Sequence, residues 1–268
     1  MNEFRVLLVY PNLMLVGLLP NSIALLAGCL KEAGFEVRVF DTTPYQTSDK
    51  TVDEMRVERM QVREFDLDEV GIAVKKENVY EDFARMVREY QPNLIGLTVL
   101  DNTVKQGLDL VRRAHCDQIP VVLGGVHATF NSELLLQNKE VDFICRGEGE
   151  ETLVELCCAL RDHRSFDHIQ NLWVKKENDN FTKNSLRPPI DLNRLPFEDF
   201  SVFEPKRLFR PMQGKMLAML PVNIDRGCPY SCAFCDAPAL TRLYQACNSR
   251  YYRIKSVDRI YAELKYQI

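Results

Sequence analysis

Long unbroken apolar runs are scarce in this 268-residue chain, and their scarcity answers the first question a sequence poses. The most hydrophobic stretch, Phe4 to Leu30, carries Arg5 as its only charge but is divided by Pro11, Asn12, Pro20 and Asn21. No span of about twenty apolar residues survives, so strand, loop and helix are expected there rather than a transmembrane or signal segment. Basic runs are missing too: Lys75-Lys76 and Lys175-Lys176 are only pairs, in a chain of net charge −4. Nucleic acid is therefore not an expected partner. No Gly-x-Gly-x-x-Gly follows the first apolar run, which weakens an ordinary dinucleotide reading. A disulfide framework is not expected either, because nine cysteines is an odd number and no secretory leader is read ahead of them. The expected compartment is the reducing cytoplasm.

What is present suits a packed core in one or two domains, with 46% hydrophobic and 27% charged residues. Phe4 to Tyr10 is rich in Val and Leu, the composition of a strand buried on both faces. Ile23, Leu26, Ala27 and Leu30 then have helical spacing, Gly34 stands where a C-terminal cap belongs, and Phe35 to Phe40 is a second strand closed by Asp41. Residues 42–78 are charged, lack a long period, and read as an insertion. Phe83, Met86, Val87 and Tyr90 mark a helix stopped by Pro92, and Leu94 to Leu100 is a third strand. Asp101 or Asn102 is the expected cap of the next helix, which carries Leu108, Val111 and Ala114. Pro120 to Leu123 and Val141 to Cys145 are the fourth and fifth strands, the latter followed by an acidic helix start and Leu153, Leu156 and Leu160. This alternation predicts an α/β fold with a doubly wound parallel sheet.

Ligands of such a sheet bind at the loops beyond the carboxyl ends of its strands. Here these are Pro11-Asn12, Asp41-Thr42-Thr43, Thr98-Val99-Leu100-Asp101, Gly124-Gly125-Val126-His127 and Arg146-Gly147-Glu148-Gly149-Glu150-Glu151. Gly124 and Gly125 allow either a close-approaching bulky ligand or a tight turn into a helix at Asn131. His127 is expected to be a hydrogen-bond partner, with metal ligation the alternative. Glu148, Glu150 and Glu151 are expected to offset a helix dipole rather than to catalyse. Cys157 and Cys158 read as core filler. A hairpin is expected around Asn171 to Val174 and Phe181, turning through Glu177-Asn178-Asp179-Asn180, and the prolines 188, 189, 196, 205, 211 and 221 mark an extended linker. Leu217 to Ile224 is then the expected first strand of a second domain, with Ser256 capping a last helix of Val257, Ile260 and Leu264.

The sharpest feature is Asp225-Arg226-Gly227-Cys228-Pro229-Tyr230-Ser231-Cys232-Ala233-Phe234-Cys235-Asp236. Gly227 and Pro229 favour a wrapped loop over a helix face, and a loop can aim three sulfurs at one centre. Three thiolates on a four-iron cube leave one iron for a substrate or cofactor. Two other readings stand beside this one: small buried cysteines, or structural zinc with Cys247 or Asp236 as fourth ligand.

With Phe234 before the third cysteine, the stretch resembles the CxxxCxΦC signature of radical S-adenosylmethionine enzymes. The resemblance implies a 4Fe-4S cluster on Cys228, Cys232 and Cys235, S-adenosylmethionine chelated to the open iron, and Phe234 near its adenine. The earlier residues resemble the cobalamin-binding domain of the cobalamin-dependent members of that group at Thr98-Val99-Leu100, Gly124-Gly125 and Arg146-Gly147-Glu148-Gly149-Glu150. On that resemblance Pro11, Asn12, Asp41, Thr98, Leu100, Gly124, Gly125, His127, Gly147 and Glu148 are candidate cobalamin contacts. A motif of the wider cobalamin fold supplies cobalt with a histidine, and Asp41-Thr42-Thr43-Pro44 contains none.

The implied organisation is a cobalamin-binding Rossmann-like domain over 1–165, hairpin and linker over 166–215, and over 216–268 the first strand-helix unit of a partial (β/α) barrel. Only 33 residues follow Cys235 (268 − 235), where one barrel unit takes about 30, so a fragment of a longer enzyme is expected. The implied chemistry is reductive cleavage of S-adenosylmethionine to a 5′-deoxyadenosyl radical, for C-methylation or, as in the anaerobic magnesium-protoporphyrin ester cyclase, ring formation. The substrate would be a small, lipid-like or tetrapyrrole-like molecule, and the electron donor an external flavodoxin or ferredoxin. The rival is a non-catalytic cobalamin-binding module whose cysteine loop is unused or holds zinc.

Overall fold

Alternate residues of the first strand face two different cores. In the computed structural model, which describes residues 4–176 and 180–267, β1 (Arg5–Tyr10) turns Val6 and Leu8 to one side and Leu7 and Val9 to the other, all buried. A strand's side chains alternate, so burial of both sets requires helices on both faces. They follow in order: α1 (Asn21–Glu32), β2 (Glu36–Asp41), α2 (Val52–Glu58), α3 (Val79–Tyr90), β3 (Leu94–Thr98), α4 (Val104–Arg113), β4 (Val121–Gly124), α5 (Val126–Phe130), α6 (Ser132–Leu136), β5 (Phe143–Cys145) and α7 (Glu150–Arg161). One core joins Leu7, Val9, Ile95, Leu97 and Leu123 to Phe83, Val87, Leu110 and Leu136 from α3, α4 and α6. The other joins Val6, Leu8, Leu94 and Val122 to Ile23, Ala27 and Leu30 of α1 and Leu153, Leu156 and Cys157 of α7.

Strands run in the order β2-β1-β3-β4-β5 and are parallel throughout. The order reverses between β1 and β3, where the loops leaving the two strands diverge and a crevice opens at the carboxyl edge. β6 (Leu172–Lys175) and β7 (Phe181–Lys183) continue the sheet antiparallel, Cys145 opposite Leu172 and Lys175 opposite Phe181. The hairpin that the sequence groups with the linker is thus the sheet's far edge; its turn at Glu177, Asn178 and Asp179 lies outside the described residues.

Three local expectations are corrected. Neither Asp101 nor Asn102 caps α4: the buried Thr103 precedes it, and its hydroxyl accepts from Leu100 N–H at 3.1 Å, folding the turn back on the end of β3. Leu217 to Ile224 is not one strand. β8 (Phe209–Met212) and β9 (Lys215–Ala218) form their own antiparallel pair, Pro221 interrupts, and β10 (Asp225–Arg226) pairs with β11 (Arg253–Ile254) beyond α8 (Ala237–Gln245). In the last helix, α9 (Val257–Gln267), Ser256 Oγ does accept from Arg259 N–H at 3.2 Å, yet Val257 and Leu264 are exposed. The inward residue is Glu263, drawn to Lys255 Nζ at 2.6 Å and Arg259 Nε at 2.7 Å.

The Pro-rich segment lies on α1 and on the loops after β1 and β2. Asp199 N–H donates to Ala24 O at 3.0 Å, Lys31 pairs with Asp199 at 2.6 Å, and Arg207 pairs with Asp41 at 2.7 Å. Contact is closest at Gly28, where a Cβ would sit 2.5 Å from the carbonyl oxygen of Phe197. Gly28→Ala is expected to destabilise by about 1–3 kcal/mol through forced separation of these backbones, read as a lower urea midpoint and faster protease cleavage between residues 188 and 216. An unchanged midpoint would contradict this seating of the linker.

Candidate functional site

A cavity of about 390 Å³ opens at the carboxyl edge beside the β1/β3 reversal. Leu8, Gly96 and Val122 form its floor, and Thr98, Leu100, Gly124, Gly125, Gly147 and Glu148 its rim. Six sequence-predicted positions are therefore brought together. The two glycines serve different ends. A Cβ on Gly125 (φ 100°) would meet Val99 O at 2.8 Å, so this residue serves the turn itself. At Gly124 a Cβ would meet nothing nearer than Cys145 Cβ at 4.0 Å, so its bare backbone borders open space. The helix the turn enters begins at Val126, five residues before the expected Asn131.

Pro11, Asn12, Asp41 and His127 do not line this cavity. Asn12 is buried and ties two loops, its N–H donating to Thr42 Oγ1 at 2.8 Å and its side chain to Thr43 Oγ1 at 2.9 Å. Asp41 accepts from Thr43 N–H at 2.9 Å and from Arg207. His127 Nδ1 lies 3.5 Å from Asp101 Oδ1 and 3.4 Å from Asn131 Nδ2. A second cavity, of about 490 Å³, lies between residues 44–77 of the insertion and 204–216 of the linker.

Glu148 and Glu150 do not act as simple dipole partners. Glu148 receives Arg226 at 3.2 Å and both terminal nitrogens of Arg253, and Glu150 receives Arg226 at 2.6 Å. Glu150 and Glu151 stand in the first turn of α7 and Glu148 precedes it, Glu151 pairing with Arg187. Burial disfavours the charge of Arg226, but Glu150 and Glu148 outweigh it and hold the guanidinium's pKa above its ordinary value. Glu148 N–H donates to Tyr244 Oη at 2.9 Å, and Tyr244 stacks on Tyr251 with ring centroids 4.9 Å apart. At Gly147 (φ 91°) a Cβ would fall 2.5 Å from that hydroxyl, so only glycine admits the tyrosine. Thr129 closes the set, its Oγ1 donating to Gly125 O at 2.9 Å and accepting from Gly147 N–H at 3.0 Å. Thr129, Tyr244, Arg253 and Arg226 escaped the sequence reading. Arg226 alone carried a signal, being adjacent to Gly227-Cys228.

The cysteine stretch is a loop, as Gly227 and Pro229 require, with Gly227 at φ 94° pressed against the Tyr252 backbone. Cys232 and Cys235 are exposed and Cys228 half-buried, and Phe234 is 94% exposed. Ala237 N–H donates to Cys235 Sγ at 3.5 Å. Among the described residues no three Cys, His, Asp or Glu side chains converge as a metal-binding group, so the chain's own packing leaves the three sulfurs apart. Three thiolates repel one another, and it is a metal's charge that offsets this and couples binding to local folding. The donor set itself, three accessible thiols within eight residues of loop, suits an iron-sulfur cluster in type and number. Of the zinc alternative's fourth ligands, Asp236 Oδ1 lies 3.6 Å from Cys235 Sγ, so the donor types alone do not separate the two metals.

Residues 59–157 match the B12 binding domain family. The chain is 27% identical to an uncharacterized methyltransferase of Pyrococcus horikoshii, over 69% of this chain and 39% of that protein. It is 26% identical to the anaerobic magnesium-protoporphyrin IX monomethyl ester cyclase of Rubrivivax gelatinosus, over 96% of this chain and 42% of that protein. The chain thus spans about two fifths of the length of these relatives. Among solved structures, the radical S-adenosylmethionine methyltransferase TsrM of Kitasatospora setae, determined with cobalamin and a 4Fe-4S cluster, shares the fold. Its TM-score is 0.63 at 19% identity, covering 98% of this chain and 45% of that one. No helix among the described residues is long and apolar enough to cross a membrane.

The remaining thiols are packed away. Burial pushes Cys29 and Cys145 up to about 12, with Glu150 adding to both, and Cys116 up to about 11; burial also raises Cys157. A thiol at 12 is almost wholly protonated near about pH 8 and is a poor nucleophile. Iodoacetamide is expected to label Cys232 and Cys235 in the native protein and to spare Cys29, Cys116, Cys145 and Cys157 until denaturant is added, as read by peptide mass. Native labelling of Cys145 would contradict this packing. The same thiols ionise at 9.0 when unfolded and only near 11 to 12 when folded. The folded state then retains protons that the unfolded state has lost, so stability is complete below pH 9 and declines as pH rises toward 12.

Proposed function

We propose that this chain is the cofactor-holding part of a cobalamin-dependent radical S-adenosylmethionine enzyme that methylates an unreactive carbon. One observation carries the reading: the cavity at the sheet's carboxyl edge, bordered by bare Gly124, is walled by the same loop that grips Arg226, two residues before Cys228. The cavity takes only part of a corrinoid, and its mainly apolar floor of Leu8, Leu26, Gly96 and Val122 suits the flat nucleotide tail. Thr98, Leu100, Gly124, Gly147 and Glu148 would border the tail where it leaves the cavity. Cys228, Cys232 and Cys235 would hold the cluster, and Phe234 would shield the adenine of S-adenosylmethionine. Bound there, the two groups would supply one-electron reduction of S-adenosylmethionine and a transferable methyl group. The chain's own task is to orient both and exclude water.

Similarity to a methyltransferase over 69% of the chain supports methyl transfer. Similarity to the cyclase over 96% of the chain supports a second reading, ring formation on a tetrapyrrole. A small, lipid-like or tetrapyrrole-like substrate, an external flavodoxin or ferredoxin and a cytoplasmic location complete the proposal.

Anaerobic reconstitution with iron and sulfide is expected to give a brown protein with about four irons and four sulfides per chain, and Cys232→Ala, at an exposed position, a folded protein with little of either. Hydroxocobalamin is expected to stay bound through gel filtration. Gly124→Val, which fills the rim, should weaken that binding by about tenfold or more with little change in melting temperature. Stoichiometric zinc with no iron would sink the cluster assignment, and no corrinoid retention the cobalamin assignment.

A further inference from the structure

We infer that the loop Arg146–Glu150, acting through Arg226, is a coupling element that makes occupancy of the corrinoid cavity and assembly of the cysteine cluster favour one another. The inference rests on the cobalamin and cluster reading proposed above and deepens it by assigning positioning residues.

The argument is one of shared attachment. Gly147, Glu148, Gly149 and Glu150 line the cavity. The same loop fastens both ends of the cysteine segment. On the upstream side Arg226 pairs with Glu148 and Glu150 at 3.2 and 2.6 Å, and at the next residue, Gly227, an added Cβ would meet Tyr252 Cα at 2.9 Å and Tyr251 O at 3.1 Å. Little slack separates Arg226 from Cys228. On the downstream side α8 starts two residues after Cys235, and its Tyr244 hydroxyl accepts from Glu148 N–H at 2.9 Å. Arg253, opposite Arg226 in the β10–β11 pair, adds a second guanidinium on Glu148.

Among the described residues Cys228, Cys232 and Cys235 do not converge, while the two anchors of their loop, the half-buried Arg226 and the buried Tyr244, both attach to the 146–150 loop. A ligand that orders the 146–150 loop therefore fixes where both ends of the cysteine loop stand, lowering the cost of bringing three thiolates together. Coupling of this kind is reciprocal: an assembled cluster must tighten the cavity's ligand by the same factor. Arg226 suits the part because its planar fork can engage two carboxylates in fixed directions, which a lysine cannot. Neither Arg226 nor Tyr244 is assigned any chemistry with the cofactors.

The test compares hydroxocobalamin dissociation constants for the metal-free and cluster-loaded protein, anaerobically, together with the paramagnetic spectrum of the reduced cluster before and after corrinoid addition. The wild-type chain is expected to bind corrinoid about tenfold more tightly when loaded, and its cluster signal to shift on addition. In Arg226→Gln the ratio is expected to fall to about one and the shift to vanish, with four irons still bound. If Arg226→Gln fails to fold, Tyr244→Phe decides, since it leaves every ion pair in place and removes only the hydroxyl that accepts from Glu148; the ratio should fall there too. A wild-type ratio near one, or a ratio and spectral shift that persist in a folded variant, overturns the coupling. A wild-type chain that takes up no corrinoid or no iron overturns the underlying reading, and the coupling with it.

Discussion

The structure depends on a set of charges held out of water at the boundary between the sheet and the cysteine-bearing segment. Two carboxylates, Glu148 and Glu150, meet two guanidiniums, Arg226 and Arg253, and every one of these side chains is at least three-quarters buried. Burying ions is costly, and an apolar set of similar volume is often as stable, so these pairs are poorly explained as a source of stability. Removing one partner, in contrast, strands the other and costs about 3–5 kcal/mol. Such a boundary tolerates one docking geometry and penalises its neighbours. A purely apolar seam between sheet and segment would permit sliding. The second buried set, Lys255 with Glu198 and Glu263, repeats the device at the base of α9 and explains why that helix turns a carboxylate inward and apolar side chains outward.

Glycine does the complementary work of bringing backbones together. Gly125 and Gly147 both take positive φ and both stand where a side chain would strike another part of the site, Val99 O in one case and Tyr244 Oη in the other. Gly96, inside β3, keeps the cavity floor low: a Cβ there would stand 3.1 Å from Leu8 Cδ2. The cavity thus exists because side chains are missing at the carboxyl ends of adjacent strands, and Glu148, Glu150, Glu198, Arg226, Lys255 and Glu263 on its walls are ion-paired. Its interior is left to shape and apolar contact.

The sheet was legible in the sequence because β1, β3 and β4 are dense Val, Leu or Ile runs, and α1, α3, α4 and α7 have apolar residues at helical spacing. The antiparallel finish was less so. The pairing of β6 with β5 is a matter of which neighbour lies within reach, and the residues Leu172 to Lys175 look the same in a free hairpin. Thr98, Leu100, Gly124, Gly125, Gly147 and Glu148, singled out by their place at strand ends, all border the one cavity. Arg253 and Tyr244 were not, since they are 105 and 96 residues from Glu148 and a sequence carries no trace of such a meeting. Asn12 and Asp41 lie outside the cavity for a related reason: a polar residue that ends a strand serves a neighbouring loop as readily as a ligand. The cysteine spacing singled out three sulfurs as candidate ligands, while their distance from one another in the chain's own packing is something spacing does not fix.

The sheet's two borders end differently from its middle. β7 is only three residues long and finishes in Lys183, which pairs with Glu133, while β2 presents Arg38, its guanidinium resting 4.6 Å from the Tyr90 ring centre. Short margins and fixed positive charge deter a second sheet from zipping onto open backbone donors and acceptors. A seven-stranded sheet of such apolar strands would otherwise be a template for fibril-like growth, and here both places where a stray strand might add are guarded by a cation already held in position.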